Sequence, residues 1–358
     1  MAVAFHKLKV ADVRRETPDA VSIAFAVPPE LADEYRFHPG QHLTLRRECD
    51  GQDVRRSYSI CTGLDDRELR VAVKKVEGGV FSTLCNEVLR PGDTIDVMTP
   101  QGRFGVMPDP ATARNYLAIA AGSGITPILS LLRSVLSREP NSRFMLIYGN
   151  RTAKDIIFKE ALEDLKDRFI GRLVVHHVLS REQQEIELFN GRIDAGKIEA
   201  LLKSFASANR IDHAFLCGPG AMIEDAKATL IRLGTPPGNV HIEYFSTDGV
   251  PVTPRRTAAK AAGEAPVAHA HVTLHGSVYE IPMLDGETII DAGERAGIEL
   301  PYSCRGGMCC TCRAKLVSGE AEMAVNYSLE PWEKEAGYVL TCQARPLTKE
   351  IVVDYDEV

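Results

Sequence analysis

The chain has 358 residues, of which 44% are hydrophobic and 25% charged, and its net charge is -7 at pH 7. This length predicts two or three domains of roughly 100 to 150 residues each. The acidic balance argues against general binding to nucleic acid or anionic membranes, so small molecules and other proteins are the expected partners. Because no apolar run approaches the roughly 20 residues that span a bilayer and MAVAFHKLKV lacks a secretory signal, we expect a cytoplasmic protein.

Residues 1–109 are predicted to form an antiparallel β-barrel. Short runs of alternating apolar and polar residues occur at 21–27, 41–46, 55–60, 68–75 and 94–98, and Pro-Gly and Asp-Gly turn pairs separate several of them. Such runs are typical of antiparallel strands. One helix is expected at about 81–89.

Residues 110–246 show a different pattern, with apolar runs at 115–121, 144–149, 173–179, 213–218 and 240–245 separated by helical stretches. Strands buried on both faces with helices between them predict a parallel, doubly wound α/β sheet. Ligands of such sheets bind at the carboxyl ends of the strands.

Residues 247–268 are rich in Ala, Pro, Gly and Thr and carry almost no large apolar side chains, which predicts a flexible linker. A last domain is expected at 269–358. Its sequence indicates a hairpin in HVTLHGSVYEIPM, a short helix in TIIDAGERAG that ends at Gly297, and a closing strand in EIVVDYD.

Four of the nine cysteines have the spacing of plant-type [2Fe–2S] ligands: Cys304, Cys309 and Cys312 follow C-x4-C-x2-C, and Cys342 lies downstream in LTCQA. Gly306 and Gly307 would allow backbone amides to approach the sulfides of a cluster. A zinc site is the alternative, although paired C-x2-C hooks are more usual there. Cys310 could replace its neighbour Cys309, but only Cys309 gives both spacings. The remaining cysteines are scattered and do not suggest disulfides: Cys49, Cys61, Cys85, Cys217 and Cys310.

Two segments of the first domain are candidates for binding a flavin. In the strand Arg56-Ser57-Tyr58-Ser59, an arginine can bind a phosphate, a tyrosine ring can cover an isoalloxazine, and a serine hydroxyl can hydrogen-bond the flavin N5. Further along, Gly78-Gly79-Val80-Phe81-Ser82 ends a strand and opens a helix, where free amides can hold a pyrophosphate. Each segment alone could be ordinary structure.

The second domain carries candidates for a nicotinamide dinucleotide. Gly122, Gly124, Thr126 and Pro127 lie in the turn between the strand NYLAIA and a helix, where glycines let the backbone approach a pyrophosphate. Cys217-Gly218-Pro219 ends a later strand, although Cys217 could also be a small core residue.

These motifs resemble the ferredoxin–NADP reductase superfamily from about residue 5 to 246. The resemblance implies that Arg56, Tyr58, Ser59, Gly79 and Ser82 bind FAD, with FMN as the alternative, and that Cys217-Gly218-Pro219 lies near the nicotinamide C4. It also implies that Tyr244 or Phe245 lies against the flavin. Ser180-Arg181-Glu182-Gln183 matches the segment that holds the 2′-phosphate of NADP, and Arg151 is a second candidate. NADPH is therefore the expected donor. Two observations count against it: Glu182 and Glu185 add negative charge, and relatives cover adenine with a tyrosine where this chain has only Phe189 nearby.

The domain order flavin, nucleotide, ferredoxin resembles the reductase components of bacterial oxygenases, with Ser59 and Cys217 at the hydride-transfer site and a β-grasp α+β ferredoxin domain at the end. A flavin is needed because hydride carries two electrons and a [2Fe–2S] cluster accepts one. Within that family, CRGGMCCTCRAKLVSG and FNGRID resemble reductases of ring-epoxidising complexes, which implies a di-iron oxygenase subunit acting on phenylacetyl-CoA as the acceptor. A reductase for a ketosteroid hydroxylase or a Rieske-type dioxygenase is an alternative. A redox sensor without turnover is another, which intact motifs at all three sites argue against.

Overall fold

The computed structural model describes residues 3–49, 51–205, 210–245 and 265–357. The chain divides into two compact units, one at 4–246 and one that holds the C-terminal residues from 247 onward. The predicted linker at 247–268 lies outside the described residues except for its last four, and Ala268 already belongs to a strand. The domain boundaries at 109 and 246 stay predictions.

The first part of the larger unit is an antiparallel barrel. Its sheet has the order β4-β3-β6-β1-β2-β5, and an isolated bridge between Ile60 and Val71 joins the two outer strands. The strands are β1 Phe5–Thr17, β2 Ala20–Ala26, β3 His42–Cys49, β4 Gln52–Ser59, β5 Leu69–Lys74 and β6 Thr94–Met98. The predicted helix is present as a short α-helix, α1 (Val80–Thr83), that continues into a π-helical turn, Leu84–Val88.

The second part of this unit is a five-stranded parallel sheet of order β11-β10-β7-β8-β9. Its strands are β7 Asn115–Ala121, β8 Arg143–Asn150, β9 Leu173–Leu179, β10 His213–Gly218 and β11 Val240–Tyr244. Its helices are α2 Ile125–Arg138, α3 Lys159–Arg168, α4 Ala195–Phe205 and α5 Gly220–Arg232. The apolar runs of the sequence coincide with these strands, which confirms the predicted α/β architecture.

Helix α2 holds the barrel and the parallel sheet together. Ser130 Oγ donates to the carbonyl oxygen of Thr62 at 2.6 Å, and Arg133 pairs with Asp66 at 2.6 Å. These contacts connect α2 with the loop that follows β4. The carboxyl ends of the parallel strands are thereby fixed relative to the barrel.

The C-terminal unit is an α+β domain whose sheet has the order β13-β12-β18-β14-β16, beside the separate pair β15–β17. Its core contains only residues of this unit among those described. The strands are β12 Ala268–Leu274, β13 Ser277–Met283, β14 Arg313–Ser318, β15 Ala321–Met323, β16 Tyr338–Leu340, β17 Ala344–Pro346 and β18 Glu350–Asp354. The helices are α6 Ile289–Arg295 and α7 Pro331–Glu335. The predicted hairpin, helix and closing strand are all present. No described helix has the length and apolar character required to cross a membrane.

Candidate nucleotide, flavin and cluster sites

A cavity of about 470 Å³ lies at the carboxyl ends of the parallel strands. Six of the predicted nucleotide residues line it, together with one of the two aromatic residues expected against the flavin: Gly122, Arg151, Ser180, Arg181, Gly218 and Pro219, with Phe245. The barrel contributes Lys74 to the same wall. The sequence motifs of the nucleotide domain therefore converge on one space, at the edge of the sheet where ligands are expected.

Three arginines line this cavity: Arg151, Arg181 and Arg192. Two of them are held together by the backbone, because the Arg181 amide donates to the Arg151 carbonyl at 2.8 Å. Within the described part of the chain, the three guanidinium groups make no ion pair. Unpaired arginines side by side fit an anionic ligand such as a phosphate.

Glu182, whose charge opposes the binding of a phosphate, is held by the backbone of the neighbouring loop. One carboxylate oxygen of Glu182 accepts a hydrogen bond from the Ala153 amide at 2.8 Å. This bond connects the loop after β9 with the loop after β8, which carries Arg151. The carboxylate thus helps to keep Arg151 and Arg181 adjacent.

Asn150, at the end of β8, has a buried side-chain amide that a polar ligand in the cavity could bind. The residue is 8% exposed and lines the cavity. Neither atom of its side-chain amide has a hydrogen-bond partner in the described protein. A buried amide without partners is unfavourable, and a nucleotide with hydroxyl and phosphate groups would supply them.

The predicted turn residues Gly124, Thr126 and Pro127 do not line the cavity. They fix the shape of the turn whose residues Gly122 and Ser123 form the cavity floor. A Cβ on Gly124 would lie 2.2 Å from the carbonyl oxygen of Cys217, so only glycine permits this approach of the turn to β10. Thr126 Oγ1 donates to the Ser123 carbonyl at 2.7 Å, and Pro127 is buried in the first turn of α2. These residues therefore shape the turn that presents Gly122 and Ser123.

Ser59 and Cys217 are brought into one network by a residue that the sequence did not indicate, Glu243 of β11. Ser59 Oγ donates to a Glu243 carboxylate oxygen at 3.3 Å, which joins the barrel to the parallel sheet. Cys217 is paired with Glu243 across neighbouring strands. Burial raises the pKa of the Cys217 thiol well above its ordinary value, and the Glu243 charge raises it further, so the thiol stays protonated.

The two aromatic residues after Glu243 take different positions. The Tyr244 hydroxyl hydrogen-bonds the carboxylate of Glu224 on α5, whereas Phe245 lines the cavity and is 37% exposed. Phe245 is therefore the better candidate for the aromatic residue beside the cofactors. Phe189 instead packs against His176, with ring centroids 5.5 Å apart.

The predicted flavin strand presents Arg56 and Tyr58 from β4. Arg56 is exposed, with one guanidinium N–H donating to the Arg55 carbonyl at 2.7 Å, and Ser57 is half-buried. The Tyr58 ring lies 6.0 Å from the ring of Phe81. Phe81 itself is in the barrel core, 2% exposed. Phe81 thus supports Tyr58 from behind, while Arg56 remains available to an anionic group.

The loop before α1 is held closed by Ser82. Its hydroxyl accepts a hydrogen bond from the Val76 amide at 3.1 Å and donates to the Gly79 carbonyl at 3.2 Å. A Cβ on Gly79 would meet Ser82 Oγ at 2.6 Å. Val76 and Val80 expose 62% and 56% of their surface on this loop. The exposed apolar surface of this loop, which also carries Phe81 beside Tyr58, fits the ring of a flavin nucleotide.

The four predicted cluster ligands form two thiol pairs, Cys304 with Cys309 and Cys312 with Cys342. The hydrogen bond with Cys309, followed by burial, raises the pKa of Cys304, and the hydrogen bond with Cys342, followed by burial, raises the pKa of Cys312. In the described residues no three His, Cys, Asp or Glu side chains are grouped to hold a single metal ion. Two neighbouring pairs fit a cluster with two irons, each bound by two thiolates.

Amide groups surround these sulfurs, as the glycines of the loop suggest. The Gly306 amide donates to Cys304 Sγ at 3.4 Å, and the Gln343 side chain donates to Cys342 Sγ at 3.7 Å. The loop is anchored to α6 by Arg305, whose guanidinium binds Asp291 at 2.7 Å. Donors aimed at sulfur favour a negatively charged cluster.

Cys310 has a backbone carbonyl as the partner of its thiol. Its backbone has a positive φ of 53°, and its Sγ donates to the Ser328 carbonyl at 3.4 Å. The assignment of Cys309 rather than Cys310 agrees with this geometry. All nine cysteines are thiols, without disulfides.

The sequence did not indicate Lys74, Asn150, Arg192 or Glu243. Arg192 lies in FNGRID, Asn150 directly precedes Arg151, and Glu243 directly precedes Tyr244, so each adjoins a segment that the sequence did indicate. Lys74 had no such signal, because it belongs to the barrel and lines a cavity at the parallel sheet.

Three family models match the chain in succession. The oxidoreductase FAD-binding domain matches residues 7–105, the oxidoreductase NAD-binding domain 118–228, and the 2Fe-2S iron-sulfur cluster binding domain 272–347. FAD, a nicotinamide dinucleotide and a [2Fe–2S] cluster are thus the cofactors of this chain.

Full-length relatives show the same organisation. The chain is 48% identical to one of the subunits of the 1,2-phenylacetyl-CoA epoxidase of Escherichia coli, over 98% of both chains. It is 37% identical to the ferredoxin reductase component of 3-ketosteroid-9-alpha-monooxygenase of Mycolicibacterium smegmatis over 98% of this chain and 97% of the other. Phthalate dioxygenase reductase has the same fold, with a TM-score of 0.59 at 24% identity over 98% of both chains.

These matches confirm the predicted assembly and its role as an oxidoreductase that passes electrons from NAD(P)H through FAD and [2Fe–2S] to an oxygenase. The chain therefore belongs to the family of flavin- and iron–sulfur-containing reductase components of multicomponent oxygenases.

Proposed function

We propose that this reductase delivers electrons from NADPH to a di-iron oxygenase subunit that epoxidises the aromatic ring of phenylacetyl-CoA. The observation that carries the proposal is 48% identity to the E. coli epoxidase subunit along 98% of both chains. The overall reaction consumes NADPH, a proton, O₂ and phenylacetyl-CoA, and yields NADP⁺, water and the ring epoxide. The nine thiols favour a reducing compartment such as the cytoplasm.

NADPH would be held by residues of the cavity. Arg181 and Arg151 are the proposed contacts of the 2′-phosphate, because their unpaired guanidinium groups are adjacent and can each present two parallel N–H donors. Gly122 and the following amides would face the pyrophosphate at the start of α2. Gly218 and Pro219 would border the nicotinamide.

When bound, FAD accepts a two-electron hydride and releases electrons singly, and the cluster carries them onward. Arg56 would pair with a flavin phosphate, and Tyr58, supported by Phe81, would cover one ring face. Ser59, whose hydroxyl is bonded to Glu243, would hydrogen-bond the flavin. The protonated Cys217 thiol and Phe245 would complete the wall toward the nicotinamide. Cys304, Cys309, Cys312 and Cys342 would bind the irons.

The substrate proposal is tested by reconstitution. The E. coli epoxidase is assembled with the purified chain in place of its own homologous subunit, NADPH is added, and phenylacetyl-CoA conversion is measured. We expect turnover that depends on this chain, at a rate near that of the complete E. coli enzyme. Absence of conversion, in a chain that still reduces ferricyanide, would overturn the proposal.

A ketosteroid monooxygenase is the second candidate acceptor, supported by 37% identity over 98% of this chain to the M. smegmatis component. The same assay with the oxygenase component of that system distinguishes the two. A higher kcat/KM with the ketosteroid oxygenase would favour this second acceptor.

A further inference from the structure

The chain has a single tryptophan, Trp332, and the structure leaves 56% of it exposed. Tryptophan is usually well buried, because covering its large apolar surface is favourable. Exposed tryptophans are also among the residues that contribute most to protein–protein interfaces. The exposure of Trp332 therefore suggests that it binds a partner protein.

Trp332 is held rigidly on α7. The helix begins with Pro331 and is closed by a capping box, in which the Glu330 amide donates to the Glu333 carboxylate at 2.9 Å. Glu333 is fully buried and accepts a hydrogen bond from Arg313 of β14 at 2.6 Å. Trp332 is thus exposed on a helix whose backbone is fixed to the sheet, so a partner would bind a preformed backbone surface.

The segment that leads into α7 is bonded directly to the cluster loop. Ser328 Oγ donates to the Gly307 carbonyl at 3.1 Å, and the Tyr327 amide donates to the same carbonyl at 3.0 Å. Cys310 Sγ donates to the Ser328 carbonyl on the other side of this segment. Helix α7 begins at Pro331, three residues after Ser328, so the helix that carries Trp332 follows directly on the segment bonded to the cluster loop.

The charge around Trp332 indicates the kind of protein surface that it would bind. Residues 265–357 contain 7 Lys and Arg against 15 Asp and Glu, so the ferredoxin domain carries the acidic excess of the chain. Glu330 and Glu335 are exposed on either side of Trp332, and Lys334 is the single basic residue of α7. An apolar centre with an acidic rim matches an apolar pocket with a basic rim.

We propose that Trp332, flanked by Glu330 and Glu335, is the anchor by which the ferredoxin domain docks on the oxygenase subunit that receives its electrons. The acceptor must approach the cluster loop, and this anchor lies on the helix that follows the segment bonded to that loop. The inference rests on electron delivery to an oxygenase and does not depend on which substrate that oxygenase takes.

The test compares Trp332→Ala and Trp332→Phe with Val278→Ala in the full-length holoprotein. Val278 is a suitable control, since it is 67% exposed on β13, at the opposite edge of the sheet from β16. The oxygenase used is one whose turnover the wild-type chain supports, the phenylacetyl-CoA enzyme first and the ketosteroid enzyme otherwise. For Trp332→Ala we expect the KM for the reductase to rise about tenfold or more, as for an interface hot spot. Trp332→Phe should show a smaller increase, and Val278→Ala none.

Three measurements show whether the effect belongs to docking. Cluster absorbance, NADPH-dependent ferricyanide reduction and the rate at which NADPH reduces the cluster within the chain should all be unchanged in Trp332→Ala.

In wild-type chain labelled with 5-fluorotryptophan, the one fluorine resonance should shift or broaden when the oxygenase is added. An unchanged KM with an unmoved resonance would overturn the proposal. A slower internal reduction of the cluster would also overturn it, because Trp332 would then serve the chain's own flavin domain. Failure of the wild type with phenylacetyl-CoA alone would overturn only the substrate proposal.

Discussion

Arg181 and Arg151, which both line the cavity, are the proposed contacts of the 2′-phosphate of NADPH. Arg181→Ala should raise the KM for NADPH far more than that for NADH, with a loss of about 1.5 to 3 kcal/mol for a charge-assisted contact. Steady-state ferricyanide reduction with both nucleotides provides the measurement. Arg36→Ala is the control, because Arg36 lies on the barrel, 79% exposed and paired with Asp33. Equal effects on NADPH and NADH would show that Arg181 does not bind the 2′-phosphate.

Glu243 is expected to act by positioning Ser59. Glu243→Ala removes the acceptor of the Ser59 hydroxyl, which should lower the kcat for NADPH–ferricyanide reduction by roughly 10- to 100-fold, the equivalent of one hydrogen bond to a charged group. Glu243→Gln keeps an acceptor and should restore much of the rate. Flavin content, measured by absorbance, should be normal in both variants. If Gln and Ala lower kcat equally, the charge of Glu243 rather than its hydrogen bond would be what matters.

Cys309 and Cys310 are neighbours in sequence, but their thiols have different partners. Cys309 pairs with Cys304, whereas the Cys310 thiol donates to the Ser328 carbonyl. Replacing a soft thiolate ligand by a hydroxyl weakens iron binding, so Cys309→Ser should lose the cluster absorbance. Cys310→Ser should keep it. The reverse result would show that the ligand assignment is wrong.

Motif spacing indicated the four candidate cysteine ligands, and the family resemblance indicated Arg151 and Arg181, which the structure places at one cavity. Glu243 could not be found in this way. Its partner Ser59 is 184 positions away, and nothing in the sequence of one domain shows which residue of the other will face it. The role of Gly124 as a contact point of the backbone with Cys217 likewise required coordinates.

The turn between β7 and α2 depends on close packing against β10. Gly124→Ala would place a Cβ 2.2 Å from the Cys217 carbonyl oxygen and 2.6 Å from its carbon. Such overpacking should lower the free energy of unfolding by about 1 to 3 kcal/mol and raise the KM for NADPH. Thermal unfolding of the holoprotein and steady-state kinetics measure the two effects.

Gly220→Ala, at the start of α5, is the matched control in the same domain. A Cβ at Gly220 meets no atom within 4 Å. Alanine is the better helix former, so this variant should be as stable as the wild type or more stable by about 0.5 to 1 kcal/mol. If Gly124→Ala were equally harmless, the turn would have room to shift and would not define the cavity floor.

The central strands β7, β8 and β10 of the parallel sheet were predictable because each contains an apolar run that is largely buried. β1 was not, although it is the longest strand at 13 residues. FHKLKVADVRRET is rich in charge, and Leu8, Val10 and Thr17 are its buried residues, so its hydrophobic signal is weak. The three-residue strands β15, β16 and β17 and the helix α7 were also missed. Three residues give too little periodicity to predict a strand, and contacts such as Arg313 with Glu333 hold α7 in place instead.

The whole chain divides electron transfer between two units with separate cores. The cluster cysteines Cys312 and Cys342 belong to the core of the C-terminal unit, and that core shares no described residue with those of the barrel and the parallel sheet. Loss of the cluster should therefore leave the chemistry of the larger unit intact. Hydride acceptance and one-electron delivery become experimentally separable.

The four ligand variants Cys304→Ser, Cys309→Ser, Cys312→Ser and Cys342→Ser test this separation. Each should lose cluster absorbance, because a hydroxyl replaces one of the paired thiolates. Each should still bind FAD and reduce ferricyanide with NADPH at the wild-type rate, since ferricyanide can take electrons from the flavin. Delivery to the oxygenase, measured as substrate turnover, should be lost in all four. Cys49→Ser, at the half-buried end of β3, is the control and should retain both activities. Turnover that persists in a variant without its cluster would mean that electrons reach the oxygenase directly from the flavin.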